Sequence, residues 1–310
     1  MYISAYEAAL DRTNLKLASL INTTTQYRGG DNTSTWDAQS NSLLGKPVTN
    51  ISRTNFRTYA RNRGANWQMY FYEAHKTLFW FFIIEYATRN SQAAVNGTLT
   101  AQGYKQGGLG NGISTANNTQ WSTFNTNNPF VQCGATNSLA NGSGEVDYTA
   151  VNFGGAGVNV AFKANRYRGV EMPFGHIWKN TDGVNSEIQA NDAGAESRTW
   201  LSKNPAHWND NNYTNYENKG LMPRANGYMS RVLFGAGGEF VPSVASGGST
   251  TYYCDYFYTL LPASGVSLRT LLLGGSAYDG ATGGFGCSYT TYAPTNTSTN
   301  FGSRLCFLPA

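Results

Sequence analysis

The chain has 310 residues, of which only 13% are charged and 14% are aromatic, and its net charge of +4 comes from scattered basic and acidic residues. Because no basic patch or stripe stands out, the charge pattern argues against nucleic acid as a partner. The longest apolar run, LFWFFII at residues 78–84, is far shorter than the roughly 20 residues that a membrane span needs. That run is therefore expected in a core, and no membrane contact is expected.

Two groups of uncharged residues are frequent in the chain. Gly reaches 35 residues, with Asn, Thr and Ser making up most of the polar remainder, while 20 Tyr and 7 Trp supply large aromatic side chains. Gly, Asn and Ser favour loops with unusual backbone angles. Tyr combined with Ser, Gly and Asn is also the mixture found in antibody binding sites. The composition therefore favours a loop-rich protein with a binding surface.

The cysteines and histidines do not form a recognisable metal or redox motif. Cys133, Cys254, Cys287 and Cys306 have no CxxC spacing, and the three histidines lie far apart. We expect free thiols, no bound metal and no cofactor, although Cys287 and Cys306 could face each other on neighbouring strands. The first dozen residues carry charges and lack an apolar segment, so we expect synthesis in a reducing cytoplasm without a secretory signal.

The first 45 residues are expected to form a separate attachment element. Between residues 2 and 21, Tyr6, Leu10, Leu17 and Leu20 recur at roughly helical spacing, which predicts an amphipathic helix. Residues 22–49 are rich in Thr, Asn, Ser and Gly and are typical of a loop or linker. We place a domain boundary near residue 45.

The middle of the chain mixes one long helix with strands and loops. Residues 70–95 contain no Gly or Pro and are apolar on most faces, which predicts a long buried helix. Residues 97–162 are typical of loops with short strands, whereas the aromatic and β-branched segments 173–183 and 250–261 predict strands that enter a core. No repeat is visible, and the fold class is predicted to be α+β.

The carboxy-terminal segment alternates between apolar runs and polar loops. LLLGG, GFGCSY and SRLCFL are expected to be strands, and Arg269 and Arg304 at their ends are expected to hold loop carbonyl groups. Tyrosines in the loops are the best ligand contacts, since a tyrosine offers both area and a hydroxyl group. Ordinary loop polarity, or partial burial of the tyrosines, is the alternative explanation. The candidate ligand-binding residues are Ser276, Tyr278, Asp279, Thr282, Tyr289, Thr291, Tyr292 and Thr297.

Four segments carry a resemblance to a known family. They are SRTNFRTYARNRGANWQMYFYEAHKTLFWFFIIEYATRNSQAA, YRGVEMPFGHIWKNTDGVN, RTLLLGGSAYDGATGGFGCSY and GSRLCFL. Together they resemble the variable proteins of diversity-generating retroelements of bacteriophages and prophages, over roughly residues 45–310. GHIWKNTDG is similar to the G-x-v-W-E-W-x-D-G signature of the formylglycine-generating-enzyme branch of the C-type lectin fold. Lys179 and Asn180 depart from the signature, whereas Gly175, Trp178, Asp182 and Gly183 keep its structural positions.

The resemblance implies a C-type lectin-like domain at residues 46–310 with an N-terminal helical attachment segment. It also implies that error-prone reverse transcription at template adenines rewrites residues 268–308 while the scaffold stays constant. Enzymatic activity of the formylglycine-generating type requires a close pair of reactive cysteines, and Cys287 and Cys306 are too widely separated to match. We therefore expect a binding protein and not an enzyme.

Codon chemistry provides a separate observation on the same segment. Replacing adenines in the first two bases of AAC or AAT yields many residue types but never Lys, Gln, Glu, Met or Trp. None of those five types occurs between Leu268 and Ala310, although all five occur earlier in the chain. This absence fits adenine-templated variation, but a strand-and-turn region rich in Gly, Thr and Ser would also contain few of them.

One tripeptide invites a calcium interpretation. Trp208-Asn209-Asp210 matches the W-N-D sequence that many calcium-binding lectins carry near their carboxy terminus, and its oxygens suit calcium. Here it lies in the middle of the chain, in an Asn-rich stretch. We expect a chance match and no lectin-type calcium at this position.

These features predict a phage receptor-binding or host-adhesion protein on the virion, made in the host cytoplasm. Its partners would be a host cell-surface receptor, either protein or glycan, and other virion proteins, in a homo-oligomer that by analogy with virion fibres is a trimer. One alternative is a decoration protein of the virion that selects no ligand. Another is a bacterial surface protein encoded beside a chromosomal retroelement, which would predict an export signal.

Overall fold

A computed structural model gives the fold and describes residues 1–21, 27–28, 45–95, 129, 131–153, 158–277 and 279–309. The protein has the predicted α+β fold, which is mostly β-strand and contains a curled central sheet. The predicted linker at 22–49 and the predicted loops at 97–162 lie partly outside the described residues. Where the second region is described, it includes a long antiparallel hairpin that was not predicted.

Three α-helices lie in the described residues: α1 Arg53–Arg61, α2 Tyr72–Tyr86 and α3 Ser91–Val95. The helix predicted over residues 70–95 is therefore interrupted, because Ala87 adopts a left-handed conformation with φ 51° and ends α2. Nor is α2 buried on all faces. Its Phe79 and Phe82 lie in the core, whereas Phe81 and Ile84 are 51% and 74% exposed. No described helix is both long and apolar enough to cross a membrane.

The strands assemble into one large sheet and several small ones. In chain order they are β1 Tyr2–Glu7, β2 Ala9–Asp11, β3 Lys16–Ala18, β4 Tyr27–Arg28, β5 Trp67–Met69, β6 Gly144–Phe153, β7 Val158–Tyr167, β8 Val170–Glu171, β9 Trp178–Gln189, β10 Ser197–Leu201, β11 Glu217–Leu221, β12 Gly227–Tyr228, β13 Arg231–Phe234, β14 Phe240–Val244, β15 Tyr256–Tyr258, β16 Val266–Leu273, β17 Ser288–Tyr289, β18 Phe301–Gly302 and β19 Arg304–Phe307. The central sheet has the order β11-β10-β9-β16-β17-β15-β12, with β18 also paired to β9. The smaller sheets are β1-β19-β5, β6-β7-β8, β3-β2-β4 and the hairpin β13-β14.

The predicted strands are confirmed in part. The three apolar runs of the carboxy-terminal segment contain β16, β17 and β19, as expected. The segments 173–183 and 250–261 each contain a strand, but β9 begins only at Trp178 and β15 is just three residues long. The core lies between α2 and the central sheet, where Phe79 and Phe82 pack with Phe257.

The amino terminus is made of strands, which corrects the amphipathic helix predicted over residues 2–21. β1 pairs antiparallel with β19, so that Tyr2 lies opposite Phe307 and Glu7 lies opposite Arg304. Hydrogen bonding to the other end of the chain thus outweighs a helical spacing that is only local. Whether residues 1–45 serve attachment stays a prediction.

A buried ionic cluster fixes β1 to the start of β9. The Glu7 carboxylate contacts His176 Nδ1 at 2.6 Å and also accepts a hydrogen bond from Lys179 Nζ, and all three side chains are at most 1% exposed. Burial alone would raise the pKa of Glu7, but Lys179 and His176 hold it at about 2. Lys179 therefore has a structural partner in the amino-terminal strand.

A second ionic junction holds α1 against β9. The Arg57 guanidinium donates to both carboxylate oxygens of Asp182, at 2.6 and 2.9 Å. Asp210, the last residue of the W-N-D tripeptide, accepts hydrogen bonds from Arg53 at 2.6 Å and from Arg57 at 2.8 Å. Burial would raise the pKa of Asp210, but these two arginines lower it to about 2. Asp182 of GHIWKNTDG and Asp210 of the W-N-D tripeptide thus both anchor α1.

Two further expectations about the framework are confirmed. Arg304 is fully buried and donates to the backbone carbonyl oxygens of Glu171 and Met172, as expected for a structural arginine. The four cysteines are free and buried. Gly183, a kept signature position, has φ 74°, and a side chain there would lie 3.0 Å from the Ser202 carbonyl oxygen, so a residue with a Cβ would be strained.

Candidate ligand-binding surface

A row of tyrosines covers one face of the central sheet around β15. This strand has the sequence Tyr-Phe-Tyr, and successive side chains of a strand point to opposite faces. Phe257 is fully buried, while Tyr256 and Tyr258 on the other face are partly exposed. We call the row of partly exposed tyrosines the tyrosine ridge, and its members are Tyr228, Tyr256, Tyr258, Tyr289 and Tyr292.

Strand register brings the members of the ridge together. Tyr256 lies opposite Tyr228 on β12, and Tyr258 lies opposite Tyr289 on β17. Successive ring centroids along the ridge are 4.9, 4.6, 5.0 and 5.0 Å apart, ending at Tyr292. Their interplanar angles, between 47° and 86°, are the tilted and edge-to-face arrangements that aromatic pairs prefer. The ridge is therefore a continuous aromatic surface.

A buried apolar cluster supports the ridge from below. Trp178 packs there with Leu272, Cys287 and Phe301, and Tyr258, Tyr289 and Tyr292 rest against this cluster. Partial burial was the alternative explanation for tyrosines in this segment. Tyr258, Tyr289 and Tyr292 are indeed partly buried, but each also remains partly exposed. Rings held in this way lose little conformational entropy when a ligand binds.

A hydrogen-bond network joins the ridge to the loop after β16. The Tyr258 hydroxyl lies 2.9 Å from Thr282 Oγ1. Asp279 accepts hydrogen bonds from the Ser276 backbone N–H at 2.6 Å and from its hydroxyl at 2.7 Å. Burial of the Asp279 carboxyl group raises its pKa to about 6, and hydrogen bonds from Ser276 and Tyr258 limit the rise. The network holds Ser276, Asp279 and Thr282 beside Tyr258.

The loop after β17 is held by the sheet as well. Thr290 N–H donates to the Tyr258 carbonyl oxygen at 2.9 Å, and Thr270 N–H donates to the Tyr292 carbonyl oxygen at 2.9 Å. Arg269 donates to the Thr291 carbonyl oxygen at 2.7 Å, which confirms its expected role at a strand end. The ridge is therefore held by backbone bonds that do not depend on which side chains occupy the loop.

The ridge presents no charge of its own. Burial raises the pKa of Tyr258 and of Tyr289 above the usual tyrosine value, so both hydroxyls stay neutral at physiological pH. Two charged groups lie beside its loops: the Asp279 carboxyl group accepts from Ser276, and the Arg269 guanidinium, which keeps its charge, donates to the Thr291 carbonyl oxygen. Recognition on this surface would therefore depend on apolar area and neutral hydrogen bonds.

The eight candidate residues do not all lie at the surface. Ser276 is only 3% exposed, so its predicted place in an exposed loop is wrong. Tyr278 lies outside the described residues. Thr297 is exposed in the loop before β18. The structure brings together Asp279, Thr282, Tyr289, Thr291 and Tyr292 at or beside the ridge.

Three ridge members were missed from the sequence. Tyr256 and Tyr258 were included in a strand expected to enter the core, although the alternation of tyrosine with a buried phenylalanine at 256–258 was a usable signal. Tyr228 joins them only through pairing of β12 with β15. No local pattern around residue 228 indicates that pairing.

A cavity lies at the other end of the carboxy-terminal segment. It has a volume of about 370 Å³, and its lining includes Tyr2, Trp67 and Phe307. Phe301, by contrast, contacts Tyr292 of the ridge, with ring centroids 5.0 Å apart. None of the residues that line the cavity is a member of the tyrosine ridge, so the cavity is distinct from the ridge. Among the described residues, no three His, Cys, Asp or Glu side chains come together as they would around a metal ion.

Comparison with known proteins does not identify a relative. No protein-family model matches the chain, and no curated protein matches it. What the protein binds therefore has to be inferred from its own residues.

Proposed function

We propose that the protein is a virion-borne adhesion protein of a bacteriophage that binds a host receptor through the tyrosine ridge. The observation that carries this proposal is the continuous row of five partly exposed tyrosines on a rigid sheet. Clustered tyrosines dominate the binding energy of many interfaces because they bury much area at small entropic cost. Contiguous exposed aromatic side chains are typical of interaction sites.

The scaffold in this proposal is a C-type lectin-like domain of the formylglycine-generating-enzyme type, diversified over residues 268–308. Tyr289, Thr291 and Tyr292 belong to that segment, whereas Tyr256 and Tyr258 do not. Backbone bonds and the buried cluster below would tolerate replacement of the loop side chains. The ridge would then combine a constant half on β12 and β15 with a variable half on and after β17.

The test is adhesion of the purified protein to cells of the bacterial host. We expect Tyr258→Ala and Tyr289→Ala to weaken cell binding, and competition with phage adsorption, by about tenfold or more. Tyr2→Ala is a matched control, since Tyr2 is 67% exposed and belongs to the cavity region instead of the ridge. Equal loss in the control, or no loss in the ridge variants, would contradict the proposal.

A decoration protein of the virion is the second candidate, and a different surface favours it. Phe81 and Ile84, which are neighbours on one face of α2, are 51% and 74% exposed, and adjoining exposed apolar side chains are typical of assembly contacts. The two candidates predict different phenotypes. A phage carrying ridge variants would still adsorb if the protein only decorates the particle.

A further inference from the structure

We infer that the ligand of the tyrosine ridge is an uncharged glycan chain that lies along the row of rings. This inference rests on the proposed function and names the class of receptor. Its first support is the repeat of the surface itself. The rings recur every 4.6 to 5.0 Å, because four of them sit on adjacent strands or on alternate positions of β15 and Tyr292 follows β17 in the next loop. A regular row of similar contacts matches a polymer of similar units better than it matches the irregular surface of a folded protein.

The electrostatics of the ridge fit such a ligand. The faces of aromatic rings carry a negative potential, and the C–H groups on the faces of sugar rings are apolar with slight positive charge, so the two surfaces are complementary. Sugars also carry many hydroxyl groups that need partners. Tyrosine hydroxyls border the ridge, the Thr282 hydroxyl is bonded to Tyr258 and to the Asp279 carbonyl oxygen, and Asn226 lies two residues before Tyr228. The Asn226 side-chain oxygen accepts from Thr259 N–H at 2.7 Å, and its amide nitrogen has no partner among the described residues.

The shape of the ridge disfavours a folded protein as the ligand. Protein interfaces concentrate their energy where an anchor side chain enters a well-packed pocket, and charges around the site steer the encounter. The described cavity lined by Tyr2, Trp67 and Phe307 lies at the other end of the carboxy-terminal segment. Near the ridge, the Asp279 carboxyl group is bonded to Ser276 and the Arg269 guanidinium is bonded to the Thr291 carbonyl oxygen, so both are held close to the framework. Contact with the accessible parts of a row of tilted rings is the kind of contact that remains.

The test uses the full-length protein and intact host cells treated in two ways. Periodate cleaves the carbon–carbon bonds of neighbouring diols and so destroys glycans, whereas a broad-specificity protease removes exposed polypeptide. We expect binding to be lost after periodate treatment and retained after protease treatment. Protein-free polysaccharide extracted from the same cells should compete. Because salt screens charges but not stacking, binding should be unchanged between low and high salt.

Ridge variants separate the failure of this inference from failure of the proposed function. Tyr256→Ala should lower affinity for the extracted polysaccharide by about tenfold or more, while Tyr256→Phe, which keeps the ring, should lower it by less than about threefold. Tyr2→Ala should bind as the wild type does. Thermal unfolding like that of the wild type would show that the variants are folded.

Each other result has a defined meaning. Loss of binding after protease alone, with the ridge variants still defective, would overturn the glycan and leave receptor binding in place with a protein ligand. A strong fall in binding with salt would overturn the uncharged ligand. Ridge variants that bind cells as well as the wild type would overturn the proposed function together with this inference.

Discussion

The ionic junction between α1 and β9 and the tyrosine ridge on β15 and β17 use the same central sheet in opposite ways. At the junction, the side chains of Asp182 and Arg57 are 0% and 10% exposed, and each charge is satisfied by a partner on another element. On the ridge, the side chains are neutral and partly exposed. Buried charges thus hold the framework at the junction, whereas neutral side chains form the surface of the ridge. Substitutions should therefore cost stability at the junction and binding at the ridge.

The largest effect is expected at the junction. Asp182→Ala should lower the free energy of unfolding by about 3–5 kcal/mol, because it leaves the Arg57 guanidinium buried without its principal partner. Chemical denaturation of the purified variant measures this loss. Arg168→Ala is the matched control, since the Arg168–Glu85 pair is 58% and 36% exposed and should contribute too little to resolve. Similar losses in both variants would contradict the contrast.

The next effect tests whether the amino terminus belongs to the framework. Glu7→Gln removes the negative charge between Lys179 and His176, and should lower the free energy of unfolding of the whole protein by about 3 kcal/mol. A separate attachment segment would behave differently. In that case the substitution would unfold only the first residues, and the midpoint of the main unfolding transition would stay unchanged.

A smaller effect is confined to mildly acidic pH and concerns the loop beside the ridge. The pKa of Asp279 is raised by burial from 3.8 to about 6, so the folded protein holds this proton more tightly than the unfolded chain does. Its contribution to stability is therefore fully present below about pH 4 and is lost as the pH rises through about 6. The loss is at most about 3 kcal/mol. Asp279→Asn should remove this dependence.

The measurement is chemical denaturation of wild type and Asp279→Asn at several pH values between 4 and 8. The difference in stability between the two proteins should fall between about pH 4 and 6 and stay constant above that range. A difference that does not vary with pH would mean that the Asp279 carboxyl group is not enclosed.

The smallest effect on stability is expected at the ridge itself. Tyr256→Ala removes a partly exposed ring from the face opposite the buried Phe257, and should lower the free energy of unfolding by about 1 kcal/mol or less. Thermal or chemical denaturation tests this directly. A loss as large as that of Asp182→Ala would show that the ridge belongs to the framework.

Local patterns in the sequence indicated the framework of the carboxy-terminal segment well. The apolar runs became β16, β17 and β19, and Arg304 became a buried structural arginine, because the requirements of a strand and its ends are local. The amino-terminal strands were missed for the opposite reason. Tyr2 pairs with Phe307, at the far end of the chain. The spacing of apolar residues within a stretch of twenty residues contains no information about so distant a partner.

One local signal at the amino terminus does indicate a turn between strands. Asp11 accepts hydrogen bonds from the backbone N–H groups of Thr13 and Asn14, both at 3.1 Å, and thereby closes the turn between β2 and β3. Asp and Asn favour such turns. For the ridge, the candidates within residues 268–308 were accessible to local reasoning, whereas Tyr228 became a member only through sheet pairing.

Sequencing the 3′ end of the gene across a population of its source tests the central claim most directly. If the ridge is a recognition surface with a constant and a variable half, substitutions should concentrate at codons 289, 291, 292 and 297 and occur at template adenines. The codons for the buried Ser276 and Arg304, and for Tyr228, Tyr256 and Tyr258, should stay constant. An invariant 3′ end, or substitutions that fall on buried framework codons as often as on the ridge, would contradict the account.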